Sequence, residues 1–183
     1  MNKKFQSRLN SLDKKLVDLF EDLKDYTDST LNLSPKEDAW SVLEIMQHLM
    51  LAERTSLNYI QHKLAEEPVF DRAGVGATFR SFVLYSALAM PLKYKAPFSI
   101  GKDAFMSNPT FWEVAKEWRV DRSTLREFLI NLPNEYFDKA IYKHPRVGFV
   151  SLNGMIGFHD KHFDRHIKQI KRTLDAIDAC KQV

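Results

Sequence analysis

The sequence of 183 residues holds one cysteine, Cys180, six glycines and seven prolines. A lone cysteine near the C-terminal end leaves no internal disulfide framework and no thiolate-rich zinc site, so a metal would have to be held by imidazole or carboxylate. Glycine and proline together occupy 13 of 183 positions, well under the roughly 12% of average usage, which argues against a turn-dense sandwich or barrel. Charge of one sign is missing too. The 27 Lys and Arg face 24 Asp and Glu, a net +3, too small and too evenly spread for a nucleic-acid reader or an acidic membrane surface. Long apolar runs are also absent: Ser81–Leu92 is the longest and is too short to span a bilayer. Met1–Phe20 carries lysines at its start and middle and lacks the continuous apolar block and cleavage site of a secretory signal. The expectation is a soluble, cytoplasmic, all-α chain forming one domain over residues 1–183.

What is present is helical periodicity. Phe5, Leu9, Leu12, Leu16, Leu19, Phe20 and Leu23 lay one apolar stripe down a first helix. Asn32-Leu33-Ser34-Pro35 breaks the pattern, and Ser41 with Glu44 reads as a capping box that starts a second helix. Val42, Ile45, Leu49, Ala52, Ser56 and Ile60 carry that helix to about Leu64. Residues 68–108 hold three of the six glycines and are the least regular part, predicted as one apolar helix over Thr78–Met90 and an irregular excursion through Lys95-Ala96-Pro97. A third long helix follows Ser107-Asn108-Pro109 and ends at Pro133, with Trp112 and Trp118 expected mainly in packing surfaces. A connector through His144-Pro145-Arg146-Val147-Gly148 leads to a fourth helix from about Ser151. Four amphipathic helices predict a four-helix bundle, with 68–108 as a partly helical insertion packed outside it or across one end.

Three of the six histidines, His159, His162 and His166, fall on the fourth helix, inside an arc of roughly 60° at about 100° per residue. They share the inward face with Met155, Ile170 and Ile177. Burying several imidazoles among apolar side chains is unfavourable unless each ring nitrogen finds a partner. A divalent metal is one such partner. His162 and His166 are spaced i, i+4, His159 is adjacent, and His48 on the second helix is a further candidate. Three imidazoles from two helices would suit a catalytic rather than a closed structural site, with Glu44, Asp160 and Asp164 as carboxylates that would orient the rings. The other reading keeps the inward histidines as hydrogen-bonded core residues. His62 and His144, in polar or connector contexts, are not expected to act directly, and Cys180 is not expected to be a nucleophile.

Trp40-Ser41-Val42-Leu43-Glu44-Ile45-Met46-Gln47-His48-Leu49, followed by Glu53, resembles the W-S-x-x-E-x-x-x-H-L signature of the DinB/YfiT-like superfamily. The run from His159 through His162, His166, Gln169 and Ile170 resembles its H-x-x-H-x-x-x-H-x-x-Q-I helix, and His144-Pro145-Arg146-Val147-Gly148 its H-P-x-x-G connector. Phe163 departs from the pattern, standing where many members carry a second adjacent histidine. The resemblance covers nearly the whole chain. It implies a four-helix bundle, often dimeric, with a divalent metal on His48, His162 and His166 and with His159 beside the site as the alternative ligand. It also implies a small-molecule substrate and either thiol S-transfer, with a low-molecular-weight thiol as cosubstrate, or metal-dependent hydrolysis. Zinc, nickel, iron and manganese all accept imidazole, so the residues do not select the ion. The competing expectation is a non-enzymatic helical dimer or stress-response module.

Overall fold

The computed structural model describes residues 3–66, 70–89 and 100–181. The elements are α1 (Lys3–Leu23), a short α2 (Asp28–Asn32), α3 (Val42–Glu66), α4 (Val75–Ala89), α5 (Phe111–Asn131), the strands β1 (Tyr142–His144) and β2 (Gly148–Val150), and α6 (Leu152–Lys181). Four helices form the bundle. α1 packs beside α5 and α6, and α3 packs beside the same two, so α1 and α3 are diagonal partners.

The apolar stripe of α1 is buried along its whole length, and so are the inward positions of α3. The centre is aromatic. Phe20 meets Phe111 and Trp118 edge-on, each at 5.9 Å between ring centroids, and Trp118 lies 5.7 Å from Phe163. This contact accounts for Phe163: it is fully buried core, where an imidazole would have no polar partner. Trp112 departs from expectation. It is 56% exposed, one position round the helix from buried Phe111, with Arg119 over its ring.

Local chemistry sets the helix starts. The backbone N–H of Ser41 donates to Glu44 Oε2 at 2.8 Å and the Glu44 N–H donates to Ser41 Oγ at 3.2 Å, the expected capping box. α5 starts two residues later than Asn108-Pro109 as cap and first residue would place it, at a second capping box in which Thr110 pairs with Glu113. The connector is more ordered than expected, because β1 and β2 pair antiparallel with His144 opposite Gly148. Gly148 takes φ +79° at the end of this turn, a left-handed conformation that glycine adopts without steric cost. That requirement explains the glycine of the H-P-x-x-G connector.

The insertion's helix is α4, which packs against α6 and β2 on the outside of the bundle. The approach is close: a Cβ at Gly157 would lie 2.1 Å from the Tyr85 hydroxyl, which donates to the Gly154 carbonyl at 2.9 Å. The excursion expected through Lys95-Ala96-Pro97 lies outside the described residues.

One buried ion pair braces the bundle. Arg122 on α5 donates to both carboxylate oxygens of Glu53 on α3, at 2.9 and 2.5 Å, and the Trp118 indole donates to the same carboxylate at 3.1 Å. Both charged side chains are under 6% exposed. Removing Glu53 would leave the guanidinium buried with Asp13, at 3.5 Å, as its one charged partner among the described residues. Glu53→Ala is therefore expected to lower unfolding free energy by about 3–5 kcal/mol in urea denaturation; a loss under about 1 kcal/mol would contradict this reading of the pair.

Candidate metal centre

His48 lies nearly two turns beyond the capped start of α3, and His162 and His166 lie on successive turns of α6 where it packs against α3. The three rings meet in the bundle interior. His48 Nε2 is 3.1 Å from His162 Nε2, and His166 Nε2 is 3.0 Å from the same atom. One nitrogen from each of the three lies within 4.8 Å of the others.

The opposite ring nitrogens determine what these contacts can be. His48 Nδ1 stands 2.7 Å from the Ile100 carbonyl and His166 Nδ1 stands 2.8 Å from Gln169 Oε1. Each oxygen accepts, so each Nδ1 carries the proton and each Nε2 presents a lone pair. His162 Nε2 therefore faces two lone pairs at once. A proton on it would satisfy one neighbour and leave the other unpaired; a proton on its Nδ1, which is buried without a partner among the described residues, would satisfy neither. A divalent cation accepts all three lone pairs together. Separations of 3.0 and 3.1 Å also suit nitrogen ligands at the roughly 2.0–2.1 Å typical of zinc. The donor set thus fits a metal ion.

The surroundings hold the rings neutral. Burial pushes all three below the usual imidazole pKa, His166 to about 3 and His162 well down. The neighbouring imidazoles add to the depression at His162, and Arg165 and Arg172 add to it at His166. Trp40 lies against His48 at 4.9 Å, and Phe158 stacks on His162 at 5.0 Å with an interplanar angle of 17°. The rings form part of the wall of a large cleft between α3, α4, α6 and the hairpin.

The other residues marked in the sequence are placed elsewhere. Glu44 is committed to the α3 cap and to Lys102 at 3.3 Å. Asp160 accepts from Lys15 at 2.6 Å, joining α6 to α1, and Asp164 pairs with the same lysine at 2.5 Å. The ring orienters are thus a backbone carbonyl and an amide rather than these carboxylates. His159 is buried but points to Ser56 Oγ, 3.1 Å away, and that hydroxyl also meets the Tyr142 hydroxyl at 3.0 Å. It stands beside the cluster and outside it. His62 is exposed beside Glu66. His144, set aside from its sequence context, is buried in the cleft wall against Phe158 at 4.7 Å and accepts the Arg146 N–H at 3.3 Å. The Ile100 carbonyl could not be found by side-chain pattern at all. Gln169 stands in the quoted motif, three residues after His166, and that spacing is the signal for its role.

The chain is a helical bundle with a buried imidazole cluster that opens on a cleft. The DinB superfamily model matches residues 9–170, and the chain belongs to that superfamily. The uncharacterized protein YuaE of Bacillus subtilis is 23% identical over 163 residues, 88% of this chain and 94% of that one. Among solved structures, YfiT from Bacillus subtilis, described as a probable metal-dependent hydrolase with an unusual four-helix bundle topology, superposes with TM-score 0.61 at 18% identity. That match covers 94% of this chain and 87% of YfiT. A conserved Enterococcus faecalis protein gives TM-score 0.61 at 13% identity, covering 98% of this chain and 99% of that one. The four-helix bundle protein TT2238 gives 0.54 at 17%, covering 92% and 96%. These likenesses establish the fold. No helix among the described residues is long and apolar enough to cross a membrane.

Two buried histidines beside the cluster give the fold a definite acid response. Burial holds both His144 and His159 at about 4, with Arg146 adding to the effect at His144. Unfolded, each takes up its proton near 6.5. Between about pH 6.5 and 4 the unfolded state therefore binds more protons, so stability is full above that window and falls as pH drops through it. The urea midpoint of the metal-free chain is expected to fall between pH 7 and pH 5, and to fall less in His159→Gln. An undiminished drop in the variant would contradict the assignment.

Proposed function

We propose that the chain binds one divalent metal through His48, His162 and His166 and acts on a small electrophile, with a low-molecular-weight thiol or water as nucleophile. The observation that carries this reading is the convergence of three ring nitrogens, 3.0 and 3.1 Å apart along two edges, with protons held on the far side of two rings. When bound, such an ion lowers the pKa of a coordinated thiol or water towards neutrality and polarises the electrophile.

The chain's own residues prepare that chemistry. The Ile100 carbonyl and Gln169 hold two imidazoles in the tautomer that presents Nε2. Because burial keeps all three rings neutral, no imidazole proton has to be expelled near pH 7 for the nitrogens to act as ligands. Trp40 and Phe158 cover ring faces and keep water from them. Membership of the DinB superfamily, and the description of YfiT as a probable metal-dependent hydrolase, support the same reading. The resemblance of the His motifs to the DinB/YfiT-like superfamily, which implies thiol S-transfer as one activity, supports the thiol arm.

The purified chain, expressed in metal-supplemented medium, is expected to carry about one equivalent of divalent metal. His166→Ala should fall below about a tenth of an equivalent while keeping its helical circular dichroism, because the buried apolar core does not depend on the ion. Loss of an electrophilic probe only when thiol is present would assign transfer; loss without thiol would assign hydrolysis. A wild-type chain with under about a tenth of an equivalent would overturn the proposal and favour a helical interaction module.

A further inference from the structure

The cluster contains no acid. Its ring partners are a carbonyl and an amide, and the nearby carboxylates of Asp160 and Asp164 are drawn to Lys15. A divalent ion on three neutral imidazoles would keep its full +2 charge, since no carboxylate among the described residues joins the cluster. The cleft adds to this charge. Seven basic and three acidic side chains line it, although the whole chain is close to balance at 27 to 24.

Part of the positive charge lies beside His166. Arg165 precedes His166 on α6, reaches the Leu88 carbonyl of α4 at 3.3 Å and is held at the cleft edge. Arg172 lies almost two turns further along the same helix and also lines the cleft. Both guanidinium charges are felt at the His166 ring. Across the cleft, Lys143 and Arg146 stand on the hairpin. A cleft walled by one sign of charge concentrates ligands of the other, and guanidinium groups match carboxylate and phosphate oxygens. Trp40, Leu88 and Phe158 supply apolar wall between the charged groups.

We propose that the ligand of this cleft is a small anion, a molecule bearing carboxylate or phosphate, recognised by Arg165 and Arg172 beside the imidazole cluster. The inference deepens the function proposed above and rests on it for the reacting end of the ligand, whereas recognition of the anion depends on the arginines.

The test is calorimetric titration of the full chain, with metal content measured on the same sample. The probes are succinate, methyl phosphate and the neutral isostere succinamide. Either anion is expected to bind at least about tenfold more tightly than succinamide, with the tighter anion identifying the head group, and to weaken as salt is raised from about 0.02 to 0.3 M. Arg165→Gln with Arg172→Gln should weaken the anion by about tenfold or more while leaving succinamide binding and metal content unchanged. Arg172→Gln alone, at an exposed position, should show part of that loss without touching the α4 contact. Succinamide binding as well as the anions, no binding of either anion, or wild-type anion affinity in the double variant would overturn the proposal. A sample without metal would overturn only the metal-centred function; the anion comparisons are then read on the metal-free chain by the same criteria.

Discussion

Three imidazole nitrogens face one another out of water, and the bundle is arranged so that they cannot turn away. The lone pairs of His48 and His166 are aimed by hydrogen bonds on the far side of each ring. His162 is trapped between them by the stacked ring of Phe158 and has no partner for Nδ1 among the described residues. Left to itself, such an arrangement is unfavourable, because buried polar atoms without partners each cost about 1–3 kcal/mol. It persists because the helices that carry the rings are fixed independently. The Ser41–Glu44 box sets where α3 starts, and Lys15 ties α6 to α1 through Asp160.

A second buried polar system lies deeper in the same bundle. Glu53, Arg122 and Trp118 clamp α3 to α5, while His159, Ser56 and Tyr142 link α6, α3 and the hairpin. Both systems are internally satisfied, in contrast to the three-histidine cluster. The core spends its polar partners on fixing helix positions; among the described residues an unmet demand remains at His162 Nδ1, beside the cleft, and at the Gln47 amide nitrogen, whose oxygen accepts the Met106 N–H. That contrast separates histidines that build the protein from histidines available to a ligand.

Much of this was legible in the sequence because it depends on period and spacing. The apolar stripes of α1 and α3, the α3 cap and the inward face of α6 all follow from residues three and four apart, and all are found. Spacing put His48, His159, His162 and His166 forward together, the resemblance to the superfamily implied His48, His162 and His166, and those three converge. The rest depended on tertiary contacts that periodicity does not encode. Glu44 and Asp160 share the right helices with the rings, but a cap and a lysine on another helix claim them. His144 reads as a loop residue because the hairpin that buries it comes from a turn whose geometry rests on Gly148. The same limit explains Trp112, whose neighbour Phe111 takes the inward position.

The central claim is that one cation satisfies all three ring nitrogens. X-ray absorption spectroscopy of the chain loaded with one equivalent of zinc measures this directly. Imidazole scattering from three nitrogens at about 2.0–2.1 Å is expected, falling to two in His162→Ala. Zinc surrounded by oxygen ligands with no imidazole signal, or a spectrum unchanged in the variant, would contradict it.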